Sequence, residues 1–115
     1  MAEFGSTLQT LLGALVGGRC YPLVNNSAAI VSPYITWQEI YSSQYIVVDN
    51  ATDPEMKLVQ IDVWASTYSA AKTLAKQVMT AMQGASLVNI PIESQDLYEE
   101  VSKEFRVLLE YYIWP

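Results

Sequence analysis

The sequence predicts an α+β fold: a two-layer domain in which a mainly antiparallel sheet of about four strands carries two helices on one face, in the order α-β-β-β-α-β-β. Three observations predict it. Residues 55–84 switch from a period of two to a period of 3.6 within a few residues, so a strand feeds a helix that must fold back onto that strand's own sheet. Residues 103–114 alternate apolar and polar almost without interruption. The other extended segments are joined by loops, which favours antiparallel pairing of neighbours.

Taken in order, residues 6–16 form the first helix. Leu8, Leu11, Leu12 and Leu15 make its apolar stripe, Ser6 and Gln9 offer a capping box, and Gly17-Gly18 stops it. Residues 1–6 are expected to be flexible or foreign to the fold, within a single domain spanning 1–115. Arg19 to Val24 is a short extended piece that Pro22 marks as an edge strand or a strand end. Pro33 to Tyr41 is the first full strand, with Ile35, Trp37, Glu39 and Tyr41 on one face. Residues 42–57 read as a long loop that contains an apolar run, Tyr45-Ile46-Val47-Val48. In the central strand Val59, Ile61, Val63 and Ala65 face one way and Leu58, Gln60, Asp62 and Trp64 the other. Ser66 or Thr67 caps the helix that follows. Its stripe is Ala71, Leu74, Ala75, Val78, Met79 and Met82, and Gly84 ends it. Ala85 to Ile92 is a short extended segment ending near Pro91, and Glu93 to Glu100 is an acidic turn. In the last strand Phe105, Val107, Leu109, Tyr111 and Ile113 share a face.

Composition narrows the function. The chain is 51% hydrophobic and 11% aromatic, enough for one core, and its formal charge is −6 from 12 acids and six bases. That balance argues against a protein that grips phosphate backbones or anionic membranes, since both need clustered Lys and Arg. The lone Cys20 excludes an internal disulfide, and the absence of histidine excludes a His-based triad or a His-ligated zinc. The amino terminus lacks the positive region of a signal peptide, and no run approaches a membrane span. Asn25 and Asn50, each in an Asn-x-Ser/Thr triplet, read as turn residues.

The candidate chemistry is thin. Ser69-Ala70-Ala71-Lys72 matches the Ser-x-x-Lys of acylated-serine enzymes, but the other motifs of those enzymes are missing. Glu39 and Asp62 sit mid-strand on adjacent strands, where acids usually face solvent or a neighbouring subunit. Asp96, Glu99 and Glu100 lack the register of a calcium loop. Gly17-Gly18-Arg19 is better explained as a helix stop than as an anion site, and Cys20 as packing. No catalytic residues, metal ligands or cofactor are expected, and the chain does not read as an enzyme.

Several stretches resemble one family in sequence order. Leu15-Val16-Gly17-Gly18-Arg19-Cys20-Tyr21-Pro22 looks like the helix stop and Gly-Arg-hydrophobic-Tyr-Pro stretch of the tail-completion, or tail terminator, proteins of long-tailed bacteriophages. Pro33-Tyr34-Ile35-Thr36-Trp37-Gln38 is similar to that family's Pro-Tyr-Ile strand opening. Val59-Gln60-Ile61-Asp62-Val63-Trp64-Ala65, followed by Tyr68, Ala71, Leu74, Ala75 and Val78, resembles its strand with a mid-strand Asp and its Ala-rich helix. The resemblance spans about residues 8–114.

It implies a structural virion protein that forms a ring, usually a hexamer, at the head-proximal end of the tail. Such a ring caps the tail tube, ends its polymerisation and meets the head connector or stopper, and DNA passes through without specific binding. No membrane is involved, and assembly takes place in the host cytoplasm. On this reading Tyr41, Tyr45, Ile46, Val47, Tyr112 and Trp114 are candidates for contacts with other subunits or with the major tail tube protein. Asp49, Asp53, Glu55, Glu93, Asp96, Glu99 and Glu100 are candidates for lumen or end-surface charge. The alternatives are another tail, neck or injection-machine subunit of the same fold, or a small-molecule-binding module or unrecognised enzyme with a pocket lined by Tyr and Trp.

Overall fold

The computed structural model describes residues 4–24, 30–43 and 56–114. In chain order the elements are α1 (Phe4–Gly13), β1 (Cys20–Pro22), β2 (Tyr34–Ser43), β3 (Met56–Ala65), α2 (Tyr68–Gln83), β4 (Val88–Glu99) and β5 (Glu104–Trp114). The sheet has five strands, ordered β1-β2-β3-β5-β4. All pairings are antiparallel except β1 with β2, which is parallel. Both helices pack on one face, and their buried side chains join those of β2, β3 and β5 in a single core.

The centre of the fold follows the local pattern. Val59, Ile61, Val63 and Ala65 of β3 and Val107, Leu109, Tyr111 and Ile113 of β5 are buried beneath the helices. Thr67 is extended, with φ −127° and ψ 152°, and its hydroxyl accepts a hydrogen bond from the Ala70 N–H. That is the N-cap arrangement. Thr67→Ala should therefore cost about 1 kcal/mol, read as a fall in the urea midpoint at unchanged slope.

Ala71, Leu74, Ala75, Val78 and Met82 of α2 are buried, whereas Met79 lies 39% exposed at the margin of the stripe. Gly84 caps the helix with φ −92°, so it does not use the left-handed conformation expected of a glycine stop. That conformation appears at the end of α1 instead. Gly17 has φ +60° and Gly18 φ +87°, and the Gly18 N–H reaches back to the Gly13 carbonyl at 2.8 Å. This six-to-one bond needs a residue free of Cβ strain.

Further expectations are corrected in α1 and β2. The regular part of α1 starts at Phe4 and ends at Gly13, and tighter turns carry the chain on to Gly18. Ser6 thus lies inside the helix and does not cap it. Gln9 serves the tertiary structure: its amide donates to the Cys20 carbonyl and its Oε1 accepts from Trp37 Nε1 at 2.9 Å, which ties α1 to β1 and β2. The alternation of β2 breaks because the register shifts between Glu39 and Tyr41, placing Tyr41 opposite Leu58.

The largest difference is β4. Residues 93–99 continue the strand instead of forming an acidic turn, and the turn lies at residues 100–103. β4 is an edge strand exposed along most of its length, so it can carry acids without burying them. Pro91 and the register shift between Pro91 and Glu93 interrupt the pairing potential of that edge. The sheet therefore has five strands where about four are predicted. Tyr45, Ile46, Val47, Asp49, Asp53 and Glu55 lie outside the described residues.

Candidate functional site

Two helices cover one face of the sheet, and no described element covers the other. The pairings place Tyr34, Thr36, Gln60, Asp62, Trp64, Arg106, Leu108, Glu110 and Tyr112 on that bare face. Such a face must satisfy its own polar groups or present them to another molecule.

At one end it satisfies most of them. Tyr34 stacks on Trp64 with ring centroids 5.7 Å apart and planes 9° from parallel. The Trp64 indole N–H donates to Thr36 Oγ1 at 2.9 Å, and the Arg106 guanidinium lies 5.2 Å from the Trp64 ring centroid. Arg106 reaches Glu99 at 3.2 Å and Asp62 at 3.8 Å. Tyr34 also donates to Glu104, which accepts from Ser32 at 2.5 Å. Burial first, and the Glu104 carboxylate second, push the Tyr34 hydroxyl up to about 12.

Asp62 is buried rather than turned to solvent. Burial raises its pKa against the opposing pull of the Gln60 amide, which donates at 2.8 Å, and of Arg106. Asp62 Oδ1 and Arg106 Nε have no hydrogen-bond partner among the described residues. Asp62 and Glu39 do not act together. Asp62 pairs in register with Thr36 and Glu39 with Val59, which puts them on opposite faces, and Glu39 meets Lys57 at 3.3 Å.

The middle of the bare face is acidic. Glu93 stands directly opposite Glu110 across the β4–β5 pair. A hydrogen bond with Glu93, then burial, raises the Glu110 pKa. Beyond them Tyr112 and Trp114 form an aromatic pair with centroids 6.2 Å apart.

The other predicted acids are scattered. Asp96 is on the helix side, where Tyr68 donates to it at 2.8 Å and Lys72 at 3.1 Å, and both lower its pKa. Glu99 is tied to Arg106, and Glu100 is exposed in the β4–β5 turn. Ser69 is exposed and Lys72 is engaged with Asp96, so the Ser-x-x-Lys pattern lies on the outer surface. Cys20 is buried, and burial pushes its thiol up to about 12, away from the reactive thiolate. No group of three or more acids, cysteines or histidines fit for a metal occurs among the described residues.

Large apolar side chains missed by the residue patterns lie exposed at the two sheet edges. Leu23, Val24, Ile30 and Val31 flank β1 and the start of β2, while Val88, Ile90 and Ile92 lie on β4. A shallow groove of about 370 Å³ runs past Leu23, Ile30, Val101, Tyr34 and Trp64. Tyr34 and Trp64 have already committed their polar atoms to Glu104 and Thr36, so this groove offers little to orient a small molecule. Only the pairing shows this site. Trp64 and Arg106 become neighbours through the β3–β5 register, which no local periodicity encodes.

Among the described residues, one sheet face is left bare and apolar side chains line the sheet edges. The model of the tail completion protein gp17 family matches residues 8–114. The chain belongs to that family. It is a structural protein of a phage tail, and the expected resemblance is borne out over the same span. Among solved structures, a chain of the virion of a native gene transfer agent particle shares the fold with a TM-score of 0.74. At 17% identity, the match covers 96% of this chain and 92% of that one. No curated protein matches the tail completion chain.

Proposed function

We propose that this tail completion protein closes the head-proximal end of the tail tube, ends tube polymerisation and offers the joining surface to the head connector, as a hexameric ring with a channel for DNA. The observation that carries the reading is the family match over residues 8–114 of a domain whose described elements cover the sheet on one side only. A ring needs two different, mutually complementary surfaces on each copy, and a helix layer backed by a bare sheet provides two. Tyr112 and Trp114, with Tyr41, Tyr45, Ile46 and Val47, are the contact residues of this proposal, against other copies or the major tail tube protein.

The acidic character suits the passage of DNA, because a wall that repels phosphate lets the duplex slide. Asp49, Asp53, Glu55, Glu93, Asp96, Glu99 and Glu100 are the proposed lumen or end-surface charges. Asp96 is the weakest of them, since Lys72 already offsets its charge. Assembly in the host cytoplasm and residence in the finished virion follow from the same reading. Light scattering and negative-stain imaging of concentrated protein test the ring. Six copies around a central hole are expected, and a strict monomer at every concentration would count against it.

A further inference from the structure

The two faces of the domain carry opposite charge. Neither α1 nor α2 contains an Asp or Glu, and α2 contributes Lys72 and Lys76. The bare face carries Asp62, Glu93, Glu99, Glu104 and Glu110 against Arg106 as its basic residue among the described strands. Lys72 is offset by Asp96, whereas Lys76 is exposed and makes no ion pair among the described residues.

The shapes also match. Between the end of α1 and the outer side of α2 lies a groove of about 640 Å³. It is lined by small and medium side chains, Ala14, Leu15, Thr73, Thr80 and Ala81, and by Lys76. On the bare face Tyr112 and Trp114 form a half-buried aromatic pair. Glu110 is two residues before Tyr112 on the same face, about 7 Å along the strand. An aromatic pair seated in the groove thus brings a carboxylate close to the groove's own lysine.

We propose that copies of this chain associate head to tail, the bare sheet face of one docking on the helix layer of the next. Tyr112 and Trp114 enter the α1–α2 groove, and Glu110 and Glu93 meet Lys76. This rests on the self-assembly proposed above and says which two surfaces perform it. Sheet strands about ten residues long, four spacings wide, present roughly 600 Å² of projected area, of the order of the ~800 Å² per partner in a standard interface. Lys76 relieves the like-charge opposition of Glu93 and Glu110, so the contact is favoured over exposure of either face.

The test is a charge-reversal cycle followed by sedimentation of the full chain at low and high salt, with circular dichroism to confirm folding. Lys76→Glu alone and Glu110→Lys alone should each weaken association roughly tenfold, and the double reversal should restore it. Lys76 is exposed, so its variant reports on association even if Glu110→Lys folds poorly. Wild-type protein that assembles while Lys76→Glu leaves association unchanged overturns this face-to-face contact and leaves the ring standing. So does a double reversal weaker than both single ones. Wild-type protein that stays monomeric throughout overturns the ring and this contact together.

Discussion

Ile61→Ala should lower the unfolding free energy by about 3 kcal/mol, within the range for a large aliphatic side chain removed from a packed core. Ile61 is fully buried in β3, the middle strand of the sheet, and pairs in register with Trp37 on one side and Leu109 on the other. Its neighbours are strands fixed on both flanks, so they have little room to collapse into the space left behind. Met79→Ala removes a side chain of similar size from the exposed margin of α2 and should cost under about 1 kcal/mol. Urea unfolding of the two variants reads the difference directly. Equal losses would mean that the core does not centre on β3.

Arg106→Met should destabilise by about 2 kcal/mol at neutral pH. Removing one partner of a fully buried pair costs about 3–5 kcal/mol, but the Arg106 side chain is 22% exposed and its contact with Asp62 is 3.8 Å, which reduces the effect. The variant leaves the Asp62 carboxylate buried without its cation.

The pH dependence has a definite sign. Burial raises the Asp62 pKa in the folded protein above its unfolded value. The fold therefore binds this proton more tightly, and the ionised carboxylate is a liability that fades as pH falls towards the unfolded pKa near 4. Removing Arg106 raises the folded pKa further. The stability gap between variant and wild type should thus be widest near pH 7 and narrow on acidification. A gap that stays constant between pH 7 and pH 4.5 would show that lost packing on Trp64, and not charge, causes the destabilisation. Combining Arg106→Met with Asp62→Leu should recover much of the loss, since a buried pair replaced by apolar groups is often near neutral.

The parts of the fold legible in the sequence are those whose constraint is local. β3 and α2 follow from period two, the Thr67 hydroxyl and period 3.6, and each buries one regular face. β4 was illegible because an edge strand exposed along its length needs no alternation. Its strand character comes from pairing with β5, and Pro91 and three acids disguise it. The network of Tyr34, Trp64, Arg106 and Asp62 was illegible for a related reason. Asp62 is buried on the bare face beside a cation, Arg106, that sits on a strand far along the chain. The aromatics Tyr112 and Trp114 could be read as surface candidates, while the acid-free helix layer became meaningful only once both helices lay on one side.

The most direct test of the whole account is electron microscopy of particles assembled without this chain, with tail lengths measured and head attachment scored. Tails of uncontrolled, excessive length that fail to join heads are the predicted result. Tails of normal length joined to heads would contradict it.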